Sequence, residues 1–417
     1  MKRKVIIAAL VTVILLLLAA CGNGGSDSGN QDATAEPVEL EFFLIKVQAL
    51  GVHEEMQQLF NEEHPNVTVR FVATPDAETA LFARVAAGDI PDMMNTFPAE
   101  LIYRNMMDDG LFVDLTGHSM LGNIQPAVLD LAEHNGKLYA LPIALSSYGV
   151  FYNQDLFAEH GLSVPTTYAD FLAVAEAFVD TDVTPIVFFD RSAGPVGQMI
   201  ERVMSILHND SDTLFRDIVE GREDIWARNE VRALAETMLE IRQFGQLDQM
   251  GTDIDQAMAE FVSGRAAMMI GGTWHTTFFL DADPPFDYSM FQFPNPLGPQ
   301  GLPINLDTSH SIYVNASCVD SALAKLEFLS RTEIAQMYAD VEGSPNIVNG
   351  VQFNTVPLRE INDDMNNPSM NVFITPVNFW PPGMRARWQE YAQLLFMDRD
   401  VDGFIRNTEG MLHEFYD

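Results

Sequence analysis

Five residues near the end of the chain, Asp398, Asp400, Asp402, Gly403 and Glu409, fit the pattern D-x-D-x-D-G-x5-E. Oxygen ligands at that spacing form a calcium loop, and Ile405 stands at its usual apolar position. A simpler reading of the same residues makes Asp400 or Asp402 the cap of a C-terminal helix. Other chemistry is scarce. No G-x-S-x-G elbow, H-E-x-x-H zinc pair or G-x-x-x-x-G-K-[ST] phosphate cradle occurs, and His53-Glu54-Glu55 lacks a second histidine one turn on. Carboxylate pairs are everywhere in a chain with 59 acids, so they nominate no glycosidase. The two cysteines are Cys21 and Cys318; Cys318 reads as a small buried hydrophobe and not as a nucleophile.

Cys21 has a different setting. Lys2, Arg3 and Lys4 precede an apolar run from Val5 to Ala20 broken only by Thr12, the layout of an export signal. The run falls short of the ~20 residues of a spanning helix. Leu18-Ala19-Ala20-Cys21 resembles the bacterial lipobox, which implies cleavage after residue 20 and lipid on Cys21; the alternative is an unlipidated signal anchor. Several acyl chains would hold the protein on the outer face of the membrane. Residues 22–37, "GNGGSDSGNQDATAEP", carry no large apolar side chain and read as a tether. The ~380 residues beyond it exceed what one core organises, so two lobes are expected.

Formal charge is −36, and loss of the three leading cations with the signal makes it more negative still. Such a surface repels phosphates and anionic headgroups, which excludes nucleic acid as a partner.

Along the body, "VELEFFLIKV" (38–47) reads as a strand, 51–67 as a helix ended by His64-Pro65, and "VTVRFVAT" (67–74) as a second strand. A helix stopped at Gly88 and a short strand from Asp92 follow. This alternation predicts a parallel sheet covered by helices, whose ligands meet the carboxyl ends of the strands. Lys46 and Gln48, then Asn95, Thr96 and Phe97, occupy those ends. Helices are further expected at 154–160, from Tyr168 behind a Thr166-Thr167 cap, and from Ala257 to a stop at Gly264; a buried strand at 266–270 then opens into Gly271, Gly272 and Trp274.

G-K-L-Y-A-L-P (136–142), Y-N-Q-D-L-F (152–157), G-L-x-x-P-T-T-Y (161–168), F-x-x-G-R-A-A-M-M-I-G-G-T-W (261–274) and G-S-P (343–345) stand in the order and spacing found in the family 1 extracellular solute-binding proteins. With the lipobox, the chain resembles these sugar-capturing lipoproteins of ABC importers, distant relatives of maltose-binding protein. The resemblance implies a two-lobed α/β fold with crossings near Ser146–Gly149, Asn305–Ser309 and Asp340–Ser344. One lobe would comprise 38–147 plus 308–342, the other 148–307 plus 343–417, with final helices around Trp388–Phe396 and Asp402–Tyr416.

A sugar needs an aromatic face for its C–H surface and donors and acceptors for its hydroxyls. The family pattern points to Tyr148, Trp274 and Trp380, each on an expected loop. Lys46, Gln48, Asn95, Thr96, Ser146, Ser147 and Ser344 are the polar partners, and Gly271 and Gly272 would let backbone approach the ligand. Ser146 stands where maltose-binding protein has glutamate, which argues against maltose. The implied function is that of a lipid-anchored, monomeric, cofactor-free binding subunit that closes on a mono- or oligosaccharide and presents the closed form to a membrane permease. A polyamine or peptide is the alternative guest; a carbohydrate-active enzyme or an adhesion protein is the alternative class.

Overall fold

The structure, a computed structural model, describes residues 36–416 apart from 75–76, 208–228, 344, 346, 353–355, 366, 368–370, 376–379 and 382. The expected signal, Cys21, nearly all of the tether, and Ser344 lie outside the described residues.

Two sheets organise the chain. The first contains β1 (Val38–Leu44), β2 (Val67–Ala73), β3 (Met93–Thr96), β4 (Leu141–Pro142) and β10 (Ser309–Ile312), in the spatial order β2-β1-β3-β10-β4. β1 runs parallel to β2 and β3, as its helical crossovers require, whereas β10 returns antiparallel against β3 and β4. Leu40, Phe42 and Leu44 point to one face of the sheet and Phe43 to the other, and both sides are buried. The Phe43 side packs with Met94, Leu81 and Tyr103, so helices Ala77–Ala86 and Leu101–Asp108 cover it. The opposite side holds an unusual set of buried bases. Lys325 donates to Gln57 at 2.9 Å beside the Phe60 ring, and burial pushes its pKa down to about 7. His53 and His310 lie 5.6 Å apart and burial holds both well below the ordinary histidine value.

The second sheet contains β5 (Leu145–Asn153), β6 (Thr184–Val187), β7 (Ala266–Gly272), β9 (Gly301–Leu306) and β11 (Asn371–Ile374), in the order β11-β9-β5-β7-β6, with β8 (Tyr288–Phe291) also on β5. Every residue of β5 is buried. Its edge pairs with β9 through Ser147 and with β8 from Val150 onward. The change of partner occurs at Gly149, where a Cβ would stand 2.4 Å from the Phe291 carbonyl oxygen. Helices Ala193–Leu207 and Met384–Asp398 pack together over this sheet and approach closely at Gly197, whose absent Cβ would meet the Gln389 backbone at 2.6 Å.

The expected punctuation holds locally. Thr167 caps helix Tyr168–Glu176, and Gly161 and Gly264 take positive φ after helices; the structure adds an Asn153 cap on helix Gln154–Glu159 and a capping box of Asp253 and Gln256. The chain passes between the sheets three times. The first passage is Ile143-Ala144, earlier than the expected Ser146–Gly149, because Leu145, Ser146 and Ser147 already pair with β9. The second is Asp307-Thr308 and the third follows helix Thr332–Glu342. Backbone bonds knit them together: Ile143 N to Thr308 O (3.2 Å), Asp307 N to Ala144 O (3.0 Å) and Leu145 N to Pro345 O (2.9 Å).

The calcium pattern falls where helix Met384–Asp398 turns through Arg399 into helix Val401–Tyr416. Asp400 accepts from Gly403 N at 2.8 Å and Asp402 pairs with Arg232 at 2.6 Å. Helix begins at Val401, so Glu409 is carried along its axis and the motif never forms one loop; the capping reading describes Asp400. Cys318 is half-buried at the start of helix Val319–Leu329, its sulfur accepting from Ser321 Oγ at 3.3 Å.

Candidate functional site

A cavity of about 260 Å³ lies between the two sheets, at the carboxyl ends of β1 and β3. On the first-sheet side its wall is built from Ile45, Lys46, Gln48, Phe97, Glu78 and Glu100. Glu78 is in the first turn of one helix and Glu100 directly precedes another, placements that the positive ends of helices favour. The facing wall presents Gln198 and Arg202 from helix Ala193–Leu207, Arg385 from the first turn of helix Met384–Asp398, and Trp274. The floor comprises Ser146, Asn305, Leu306 and Asp307, beside the crossings.

Charges of opposite sign meet across this gap. The Arg385 guanidinium stands 3.9 Å from Glu100 and 3.5 Å from Glu201, and Tyr103 donates to Glu78 at 3.3 Å. Burial pushes the Glu100 carboxyl up to about 7 despite the opposing pull of Arg385, and it lowers Arg202 to about 10. Glu201 is 1% exposed, and neither carboxylate oxygen has a hydrogen bond; burial raises its pKa while Arg385 and Arg202 oppose the rise.

Trp274 owes its position to its neighbours. After β7 the chain makes a short 3-10 turn, Thr273–His275, that folds the indole back over its own strand. A Cβ on Gly272 would lie 2.1 Å from the indole ring and one on Gly271 2.6 Å from His275 Nδ1. The two glycines therefore clear space for side chains of the same segment. Tyr148 backs the indole at 5.9 Å between centroids with a 41° tilt.

Of the expected site residues, Lys46, Gln48, Ser146 and Trp274 line the cavity. Asn95, Thr96, Ser147, Tyr148, Gly272 and Trp380 are in supporting positions. Asn95 binds Ile45 N (2.9 Å) and His310 Nδ1 (3.0 Å), Thr96 bonds Ser311 (2.9 Å), and Ser147 donates to Pro303 O (2.8 Å). Tyr148 lies inside β5, not on a loop, and Trp380 is packed edge-on against Trp388 at 5.4 Å; they are 2% and 5% exposed. Sequence reasoning missed Glu78, Glu100, Gln198, Arg202, Asn305, Asp307 and Arg385. A signal existed for Arg202: Glu201 and Arg202 interrupt a helix whose residues from Met199 to Leu207 are all buried, where unpaired charge is costly. Among the described residues no cluster of three or more His, Cys, Asp or Glu could hold a metal, and no helix is long and apolar enough to cross a membrane.

Residues 55–358 match the family described as bacterial extracellular solute-binding protein. A multiple sugar-binding protein of Streptococcus mutans is 25% identical over 326 residues, 76% of this chain and 77% of its own. The solved structure of the binding protein RafE in complex with raffinose superimposes with a TM-score of 0.79 at 23% identity, covering 91% of this chain and all of that one. A chitin oligosaccharide binding protein superimposes at 0.75 with 20% identity, over 91% and 99% of the two chains.

Proposed function

Because the chain belongs to the bacterial extracellular solute-binding protein family, we propose that it is the substrate-binding subunit of an ABC importer, closing on a mono- or oligosaccharide between its lobes. The observation carrying this reading is the cavity itself. Two aromatic faces, Trp274 on one wall and Phe97 on the other, stand beside Gln48, Ser146, Gln198, Asn305 and paired ions of both signs. That combination suits a guest with an apolar ring face and a hydroxyl rim, and hydroxyls satisfy carboxylate and guanidinium alike. A polyamine would be held beside two arginines on the second wall, which disfavours it. About 260 Å³ is at the lower end of ligand-pocket sizes, fitting a short saccharide in this conformation.

The mechanism is lobe closure. A ligand touching both walls gains its full set of contacts only when they are together, and this differential contact shifts the hinge equilibrium toward the form a permease reads. The family's extracellular setting, the apolar run and Leu18-Ala19-Ala20-Cys21 support a lipid anchor on Cys21, holding a monomer without catalysis or cofactor at the outer membrane face. A melting-temperature screen against raffinose, stachyose, and xylo- and chito-oligosaccharides tests the ligand class, with spermidine and short peptides as controls. Stabilisation by a saccharide is expected, and stabilisation by spermidine alone would replace the reading. Cys21→Ser should release the protein from the membrane fraction and remove acyl mass from its N-terminus.

A further inference from the structure

Lys46 lines the cavity, yet its ammonium is directed at the hinge. The residue lies two positions beyond β1, is 8% exposed, and is fixed through its backbone by the Asn95 side chain. Nζ donates to Asp307 Oδ2 at 2.6 Å and to Glu342 Oε2 at 3.0 Å. Asp307 belongs to the second crossing. Glu342 is the last residue of its helix, with Gly343 at φ 64° opening the third crossing. The Glu342 carbonyl accepts from Thr277 Oγ1 at 3.2 Å, in a helix that follows β7 of the other lobe. Glu342 is thus held by one lobe through its carboxylate and by the other through its backbone.

We propose that Lys46 is a positioning residue of the hinge, a cationic pin that sets the closed arrangement of the lobes and governs ligand affinity through closure rather than through contact. The proposal rests on the two-lobe closure described above. Two carboxylates, one wholly buried with its second oxygen lacking a hydrogen bond, share a single cation here. Burial works against the Lys46 charge, but the Asp307 and Glu342 carboxylates outweigh it, and its pKa is raised well above the usual lysine value. Without the ammonium, the closed hinge would enclose two unpaired charges. Opening admits water and relieves that cost. Loss of the pin therefore drives the lobes apart.

The test measures lobe separation in the full ligand-free protein, using spin labels on one exposed residue of each lobe, and saccharide affinity by calorimetry. Lys46→Met should lengthen the inter-lobe distance and weaken affinity about tenfold if the closed population falls by that factor. Lys46→Arg should keep both near wild type. The triple variant Lys46→Met, Asp307→Asn, Glu342→Gln removes the buried charges as well and should recover most of the closed population, read from the distance alone because Asp307 also lines the cavity. If Lys46→Met does not fold, Asp307→Asn with Lys46 retained, which leaves the ammonium one partner short, must move the distance outward. Unchanged distances in these variants, or a triple variant as open as Lys46→Met, would overturn the proposal and make Lys46 a ligand contact or a static ion pair. Because the distances need no ligand, failure of every saccharide to bind would sink the sugar reading while leaving the hinge question answerable.

Discussion

The two walls of the cleft are built by different means. The first wall is made of strand ends and helix starts, Ile45, Lys46, Gln48, Phe97, Glu78 and Glu100, and the charges it presents beside Lys46 are acidic. The second is made of helix flanks and one turn, carrying Arg202, Arg385 and Trp274. Carboxylates near helix N-termini are already stabilised by the helices behind them. The arginines on helices Ala193–Leu207 and Met384–Asp398 have no such support: Arg385 relies on Glu201 and on Glu100 across the gap, and Arg202 donates to Thr375 Oγ1. The first wall therefore draws part of its support from the helices behind it, while the second divides its arginine between its own Glu201 and Glu100 across the gap. A saccharide hydroxyl can donate to one wall and accept from the other at once, which a guest of one charge cannot do.

Removing the cation at the meeting point breaks this asymmetry most severely. Arg385→Ala would leave Glu201 buried with no cation within ion-pair distance and Glu100 without its partner across the cleft. Breaking a buried pair this way costs about 3–5 kcal/mol, reduced here to roughly 2–3 because the Arg385 side chain is 30% exposed. Urea denaturation should show the loss, and Arg385→Met combined with Glu201→Gln should recover much of it. A variant as stable as wild type would mean that the second wall satisfies itself.

Trp274→Ala removes the only aromatic face among the described residues of the second wall and should weaken saccharide binding by ~1–3 kcal/mol, with little change in melting temperature. Gly272→Ala should approach the same loss, because its new methyl would occupy the ring's place. Pairing it with Trp274→Phe, a smaller ring, should recover part of the affinity. Undiminished titration heats for Trp274→Ala would place the sugar's apolar face on the first wall, at Phe97.

The same contrast separates what could be read in the chain from what could not. Strand ends are local features: the β-branched and aromatic run 38–47 pointed to Lys46 and Gln48 at its end, and the buried run 266–270 opening into Gly271 and Gly272 marked the place where the family pattern puts Trp274. The second wall depends on two helices nearly 180 positions apart meeting at Gly197 and Gln389, and no short window encodes that encounter. Arg385 looks like any solvated helical arginine until Glu100 faces it. The first crossing was misplaced for a related reason. In "LPIALSSYGV" the turn-type residues Pro142, Ser146, Ser147 and Gly149 lie inside strands while the crossing Ile143-Ala144 carries none, so the sequence marks no boundary where the structure has one. Tyr148 then fell within a strand, as the backing of Trp274.

The finest probe of the two walls is a proton. Burial by the second wall pushes the Glu100 carboxyl up to about 7, and in an open cleft water would return it toward its ordinary value of 4.5. The closed form then holds more protons than the open form between those values, so closing takes up a proton there. Closure, and the affinity that depends on it, is favoured at the acidic end, declines as pH rises through the window and levels off above about 7. The shift is shared with Arg385, which opposes it, and the Glu100 side chain is 22% exposed, so the expected change is under about 1 kcal/mol, or several-fold in Kd. Calorimetry with one neutral saccharide from pH 5 to pH 8 reads it directly, and Glu100→Gln should flatten the profile while leaving a ligand-competent fold. A profile that steepens in the opposite sense would show the sugar donating to the Glu100 carboxylate strongly enough to reverse the effect of burial, making the first wall the principal hydroxyl acceptor.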